Sequence, residues 1–304
     1  MAYTRHMFNR FRFRAFRIPT TFLALLLAAL LIRPAGAANL PPVATATTTL
    51  DVQIHAGFDG FYKAGGWLPV TALARNDGPA LKGTLALVAN SPGYAAGNYS
   101  AAALLPTHSR KRLAFAAPAP TAEHNRTITL TEGGQTLLSQ TVPVSALSPQ
   151  DYLYGSISPN PGPLDVLRGV RQFDGTVSVA QLSFDDIPTN GPALNDVDAL
   201  IIDGAATTDL SDAQRTTLAD WVSSGGQLVL AGGTGATETV AGLADLAPVR
   251  ITGTAVLDVG AALAPWTSSV VSERTTVAVS QPVTGSVVRL QTGSVPLVVD
   301  RAVG

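Results

Sequence analysis

Two domains of different class are predicted: an all-β sandwich, followed by an α/β domain built on parallel strands. Three observations carry this. Between Thr48 and about Ala146, seven short apolar runs recur at the spacing of antiparallel strands, with no helix-period segment among them. The pattern changes near Pro149. Beyond it, two continuous apolar runs, Ala199–Ile202 and Leu228–Ala231, flank one strongly marked helix, which is the layout of a strand–helix–strand unit.

The elements follow in order. Residues 1–37 have the regions of a secretory signal peptide: Arg5, Arg10, Arg12, Arg14 and Arg17, then the apolar run Phe22–Ile32, then Ala35-Gly36-Ala37 before Ala38. The apolar run is about half of the roughly 20 residues that a membrane-spanning helix needs. Residues 38–47 read as a linker. The predicted sandwich spans residues 48–148. Leu50, Val52 and Ile54 alternate with Asp51, Gln53 and His55, the period of a half-buried strand. Further runs lie at Trp67–Ala74, Leu81–Ala89, Asn98–Leu105, Lys111–Ala116 and Thr127–Thr131, and Gly133-Gly134 turns the chain toward Leu137–Val144.

The predicted α/β domain spans residues 149–304. Tyr152–Ile157 is an apolar strand, and Pro161-Gly162-Pro163 opens a short helical stretch with Leu164, Leu167 and Val170 on one face. Val177–Leu182 is the next strand. The marked helix starts at a capping box, Ser211 with Gln214, carries the core stripe Leu218, Trp221 and Val222, and stops at Gly225-Gly226. A second helix is expected at about Glu238–Leu246. Strands at Val249–Val256, Thr275–Val279, Ser286–Leu290 and Val295–Val299 complete the text. An apolar strand so close to Gly304 would leave an exposed edge, so the chain is expected to be part of a longer protein.

Composition limits the chemistry. The chain has no cysteine and four histidines in 304 residues. Thiol nucleophiles, disulfides and cysteine metal sites are therefore excluded. Loss of six arginines with the leader leaves 14 Lys+Arg against 21 Asp+Glu, a net charge of −7. An acidic chain repels a phosphate backbone, so no nucleic-acid partner is expected.

The most specific text is Asp198-Ala-Leu-Ile-Ile-Asp203-Gly, followed by Leu210-Ser-Asp-Ala-Gln214-Arg-Thr-Thr-Leu218-Ala-Asp-Trp221-Val-Ser-Ser-Gly225-Gly226. It resembles the class I glutamine amidotransferase-like, flavodoxin-like domain of large bacterial envelope proteins. Gly60-Phe-Tyr-Lys63-Ala-Gly-Gly-Trp67-Leu-Pro-Val, with Arg75-Asn76-Asp-Gly, resembles their N-terminal Ig-like sandwich. The resemblance implies an all-β sandwich followed by an α/β flavodoxin-like domain, and transmembrane helices beyond the C-terminus. It does not imply amide transfer. That activity needs a Cys nucleophile and a His base, and the region beyond His124 has neither.

Candidate ligand-binding residues are those placed at carboxyl ends of parallel strands, where open α/β sheets bind ligands: Ser156, Ser158, Asp203 and Thr234. No catalytic residue, metal site or cofactor is assigned. Gly233-Thr-Gly235-Ala-Thr-Glu238 puts an acid where a dinucleotide fingerprint has its third glycine, and a Gly-rich turn accounts for it. The acids Asp185, Asp186, Asp196, Asp198, Asp203 and Asp209 fit helix caps and solvated loops better than a calcium loop. The expected function is that of a non-enzymatic, exported cell-envelope protein acting as a binding or scaffolding module for an envelope protein or a small ligand. An uncleaved signal or a segment beyond Gly304 would tether it to the membrane. The alternatives are a hydrolase using Asp/Glu chemistry at the Asp203 strand end and a transporter-associated solute-binding component.

Overall fold

The computed structural model describes residues 49–88, 99–119, 122–172, 175–189, 192–266 and 274–304. The expected signal at 1–37 and linker at 38–47 lie outside them. No helix of the described residues is long and apolar enough to cross a membrane.

The first half contains β1 (Leu50–Ala56), β2 (Phe61–Lys63), β3 (Trp67–Asn76), β4 (Leu81–Leu87), β5 (Ser100–Leu105), β6 (Ser109–Pro118), β7 (Asn125–Glu132), β8 (Gln135–Pro143) and β9 (Ser145–Leu147). Two antiparallel sheets, ordered β1-β3-β6 and β5-β4-β7-β8, are accompanied by the short parallel pair β2-β9. Period-two alternation sends Leu68, Val70, Ala72 and Ala74 of β3 inward, against Leu85 and Leu87 of β4 and Ile128 and Leu130 of β7. Gly133 and Gly134 join β7 to β8 in two residues, with φ of +56° and +84°. A two-residue hairpin turn with both φ positive suits glycine. Tyr62 is fully buried in this core, donates from its hydroxyl to the Glu123 carbonyl at 2.9 Å, and lies under the guanidinium of Arg126.

The second half contains β10 (Tyr152–Ile157), β11 (Arg171–Gln172), β12 (Gly175–Gln181), β13 (Ala199–Ile202), α1 (Asp212–Ser223), β14 (Gln227–Leu230), α2 (Ala236–Ala241), β15 (Val249–Asp258), α3 (Gly260–Leu263), β16 (Arg274–Pro282), β17 (Ser286–Thr292) and β18 (Val295–Arg301). One sheet has the order β11-β12-β10-β13-β14. Its last four strands run parallel, and β11 is antiparallel to β12. The capping box opens α1: Gln214 N–H donates to Ser211 Oγ at 3.3 Å, and Ser211 N–H donates to Gln214 Oε1 at 3.0 Å. Gly225, at φ +105°, ends it.

The fold as a whole corrects the expected class. The described residues are predominantly β, in six small sheets, and the second half is not an α/β flavodoxin-like (class I glutamine amidotransferase-like) domain. Among the described residues, α1 alone exceeds six helical residues. The reason lies in the connections. The segment expected to be helical after Pro161 is a 3-10 stretch, Gly162–Leu167, that buries nothing, and Val166 is 75% exposed. Arg168 is extended and Gly169 is left-handed, which ends the stretch after Leu167. The link from β12 to β13 likewise passes through two short 3-10 turns, Phe184–Asp186 and Pro192–Asp196. After α2 the chain leaves the parallel sheet and forms two antiparallel hairpins, β15-β16 and β17-β18. The two apolar runs also differ. β13 is buried at all four positions, whereas β14 lies at the sheet edge and Val229 is 46% exposed.

Candidate functional site

The two halves meet along a seam built mainly by the turn between β1 and β3. Gly57, Asp59 and Gly60 all have positive φ, which lets Phe58 and Phe61 exchange backbone hydrogen bonds at 2.8 and 2.9 Å. This tight turn pushes Phe58 outward from its own half. Its ring is buried in the other core, among residues that include Leu153, Ile157, Ala180, Ile187, Leu194 and Leu200.

Polar contacts flank this knob. Lys63 Nζ reaches Asp198 at 2.7 Å, and the second Asp198 oxygen accepts from Leu153 N–H at 2.7 Å. Trp67 N–H donates to Asp196 Oδ2 at 2.8 Å, and the Asp196 carboxylate packs directly on Gly66, where any Cβ would collide with it. Asp59 Oδ2 accepts from Gln181 N–H at 3.1 Å, and Arg112 approaches Asp185 at 3.8 Å. Asp196 is 6% exposed, and burial pushes its carboxyl up to about 6. The Trp67 and Lys63 amides and the Lys63 charge oppose that shift without cancelling it.

Beside these contacts lies a cleft of about 630 Å³ with walls from both halves. His55, Asp59 and Arg112 come from one, and Gln181, Asp185 and Asp186 from the other. Asp186 is committed to capping, since it accepts from Ser183 N–H and Oγ, both at 2.8 Å. The Asp185 side chain is 87% exposed. Among the described residues, no three His, Asp or Glu side chains gather as a metal site. The cleft thus offers hydrogen-bonding groups of both signs on a surface held by buried contacts.

The sequence-predicted residues lie elsewhere. Ser158 and Asp203 come together beyond the ends of β10 and β13, with Ser158 Oγ donating to Asp203 Oδ2 at 3.4 Å. Ser156 is fully buried at 0% exposure, and its hydroxyl has no partner among the described residues. Thr234 is exposed in the loop after β14. In that loop a Cβ on Gly235 would stand 2.6 Å from Gly204 Cα, so close packing requires glycine there. None of the four lines the clefts of about 630, 390 and 370 Å³. The seam residues Phe58, Asp59, Lys63, Asp196 and Asp198 were not singled out as a site. Their available signal was local: the Gly65-Gly66-Trp67 run and two acids spaced i, i+2 before a buried strand.

A family model described as a domain of unknown function, DUF8726, matches residues 49–145, which is most of the first half. No curated protein matches the chain. Two structures of an exo-chitosanase from Amycolatopsis orientalis are similar to it at 13% identity. One, a complex with PNP-β-D-glucosamine, has a TM-score of 0.24 over 56% of this chain and 21% of the chitosanase chain. The other has a TM-score of 0.22 over 58% and 26%. The match therefore spans about a quarter of the chitosanase, and at these TM-scores it bears on neither fold nor activity.

Proposed function

We propose that this chain is a non-enzymatic, exported cell-envelope protein that acts as a binding or scaffolding module, with the seam cleft as its binding surface. One observation carries the reading: the cleft takes its walls from two halves that are pinned together beside it by the Phe58 knob and the Lys63–Asp198 pair. Walls fixed by buried contacts lose little entropy when a ligand arrives, which favours affinity.

The test is a thermal-shift screen of the full chain against nucleotides, peptides and divalent cations, repeated with His55→Ala and Asp185→Asn. Saturable stabilisation of the wild type, lost in both variants, supports the reading. No stabilisation by any class, or stabilisation indifferent to both substitutions, refutes the cleft assignment. Export is tested separately. Recovery outside the cytoplasm with Ala38 as the first residue supports it, and a cytoplasmic chain retaining Met1 counts against it. A hydrolase reading is favoured by one observation, the exposed Asp185 carboxylate in a cleft that also holds His55 and Asp59. Cleavage of a panel ester or glycoside by the wild type, abolished in Asp185→Asn, would establish it instead.

A further inference from the structure

A second cleft, of about 370 Å³, opens at the end of the parallel sheet away from Asp203, where β10, β13 and β14 begin and α1 ends. Its volume sits at the lower end of small-molecule sites, roughly 300–1,000 Å³. The lining is of two kinds. Tyr152 and Tyr154 form an edge-to-face pair, with ring centroids 6.4 Å apart and planes at 66°, and the buried Trp221 ring backs the wall from the core. The main polar lining is Asn195, Asp198 and Gln227. Asn195 and Gln227 are exposed, and their carboxamides make no hydrogen bond to the described residues. Lys63 neutralises Asp198 from outside the cleft at 2.7 Å. The floor is held in place because Gly226 is packed on the Trp221 ring, where a Cβ would collide.

This combination selects among ligand classes. An anion would meet Asp198 in a lining that contains no Lys or Arg. A wholly apolar ligand would strip water from two carboxamides and a carboxylate without replacing their hydrogen bonds. A hydroxylated ring satisfies both kinds of wall. Its C–H face lies against an aromatic ring, and its hydroxyls donate to the Asp198 carboxylate and both donate to and accept from the Asn195 and Gln227 carboxamides. We propose that this cleft binds a neutral carbohydrate of one or two pyranose rings. The site shares no residue with the seam cleft and does not depend on that assignment.

The experiment titrates the full chain with N-acetylglucosamine, cellobiose and maltose, using calorimetry for affinity and saturation-transfer NMR to find which sugar protons touch the protein. At least one of the three is expected to saturate, with transfer concentrated on ring C–H protons. Tyr152→Ala should weaken binding about three- to tenfold by removing an aromatic face. Gln227→Ala should weaken it about threefold by removing a hydrogen-bonding amide. Gln227 is an exposed edge-strand residue, so that variant keeps the proposal testable if Tyr152→Ala fails to fold. Val166→Ala, exposed and outside both clefts, should bind as the wild type does. The proposal is overturned if none of the three sugars binds saturably, or if both cleft variants bind unchanged. It is also overturned if binding is lost in His55→Ala and kept in Tyr152→Ala, since the sugar would then sit at the seam.

Discussion

Replacing Asp196 with Asn turns a buried titrating group into a permanently neutral one, and the effect should be read as a change in pH dependence. The native carboxyl is held at about 6 against an ordinary value of 3.8, mainly because it is removed from water. The neutral form is thus favoured in the folded chain. Below the ordinary value both states carry the proton and the full stability is present. As pH rises from there to about 6, the unfolded chain ionises while the native one resists, and stability falls until the native carboxyl has also ionised. A shift of about two units corresponds to a ceiling of ~3 kcal/mol, and solvent screening of an incompletely buried carboxyl lowers this to ~1–2 kcal/mol. Urea unfolding of both proteins between about pH 4 and about pH 7 measures it. The wild type should lose this increment across the window and Asp196→Asn should not, whatever their difference at the acid end. Identical slopes would refute the argument, because they would mean that Asp196 is solvated in the native chain.

The remaining predictions concern the seam and the helix. Phe58→Ala empties a fully buried position in the second core and should cost about 3–5 kcal/mol; calorimetry should then show the second half melting earlier. Lys63→Met leaves Asp198 with only its Leu153 N–H partner and should cost about 1–3 kcal/mol, read by urea midpoint, with Lys82→Met as the exposed control. Gly66→Ala should be strongly destabilising because its Cβ meets the Asp196 carboxylate, while Gly133→Ala should lose stability only through its φ of +56°, with open space around it. Ser211→Ala removes the cap of α1 and should cost about 1 kcal/mol, seen as lost helical circular dichroism at lower urea.

What the sequence made legible follows the range of the interactions involved. The strands of the first half announce themselves because alternation such as Leu68, Val70, Ala72 and Ala74 records one sheet face within a few residues. The helix α1 was equally visible, since Ser211, Gln214 and Gly225 are all local signals. The misreading of the second half came from treating Leu164, Leu167 and Val170 as a helical face. Spacing alone did not reveal that the segment would end in a single 3-10 stretch at extended Arg168 and left-handed Gly169, with Val166 and Val170 turned to water. The seam was illegible for a different reason. Lys63 and Asp198 are 135 positions apart, Trp67 and Asp196 are 129, and Asp59 and Gln181 are 122. No periodicity encodes such pairs. Of the predicted carboxyl-end residues, Ser158 and Asp203 meet, Ser156 is buried and Thr234 stands exposed on the Gly232–Gly235 loop, and the cleft lined by Gly232 and Gly233 takes in none of the four.

Phe58 has a consequence for how the chain can be made and divided. It belongs by sequence to the half that leaves the ribosome first, yet the side chains that receive it, from Leu153 to Leu243, are synthesised later. Until then a large aromatic ring stands on the surface of an otherwise finished pair of sheets, available to any apolar neighbour. A cut near Pro149 would make this state permanent, leaving one fragment with an orphan ring and the other with a hole of the same shape. Two fragments produced together should therefore find each other through that ring and that hole, and each produced alone should aggregate.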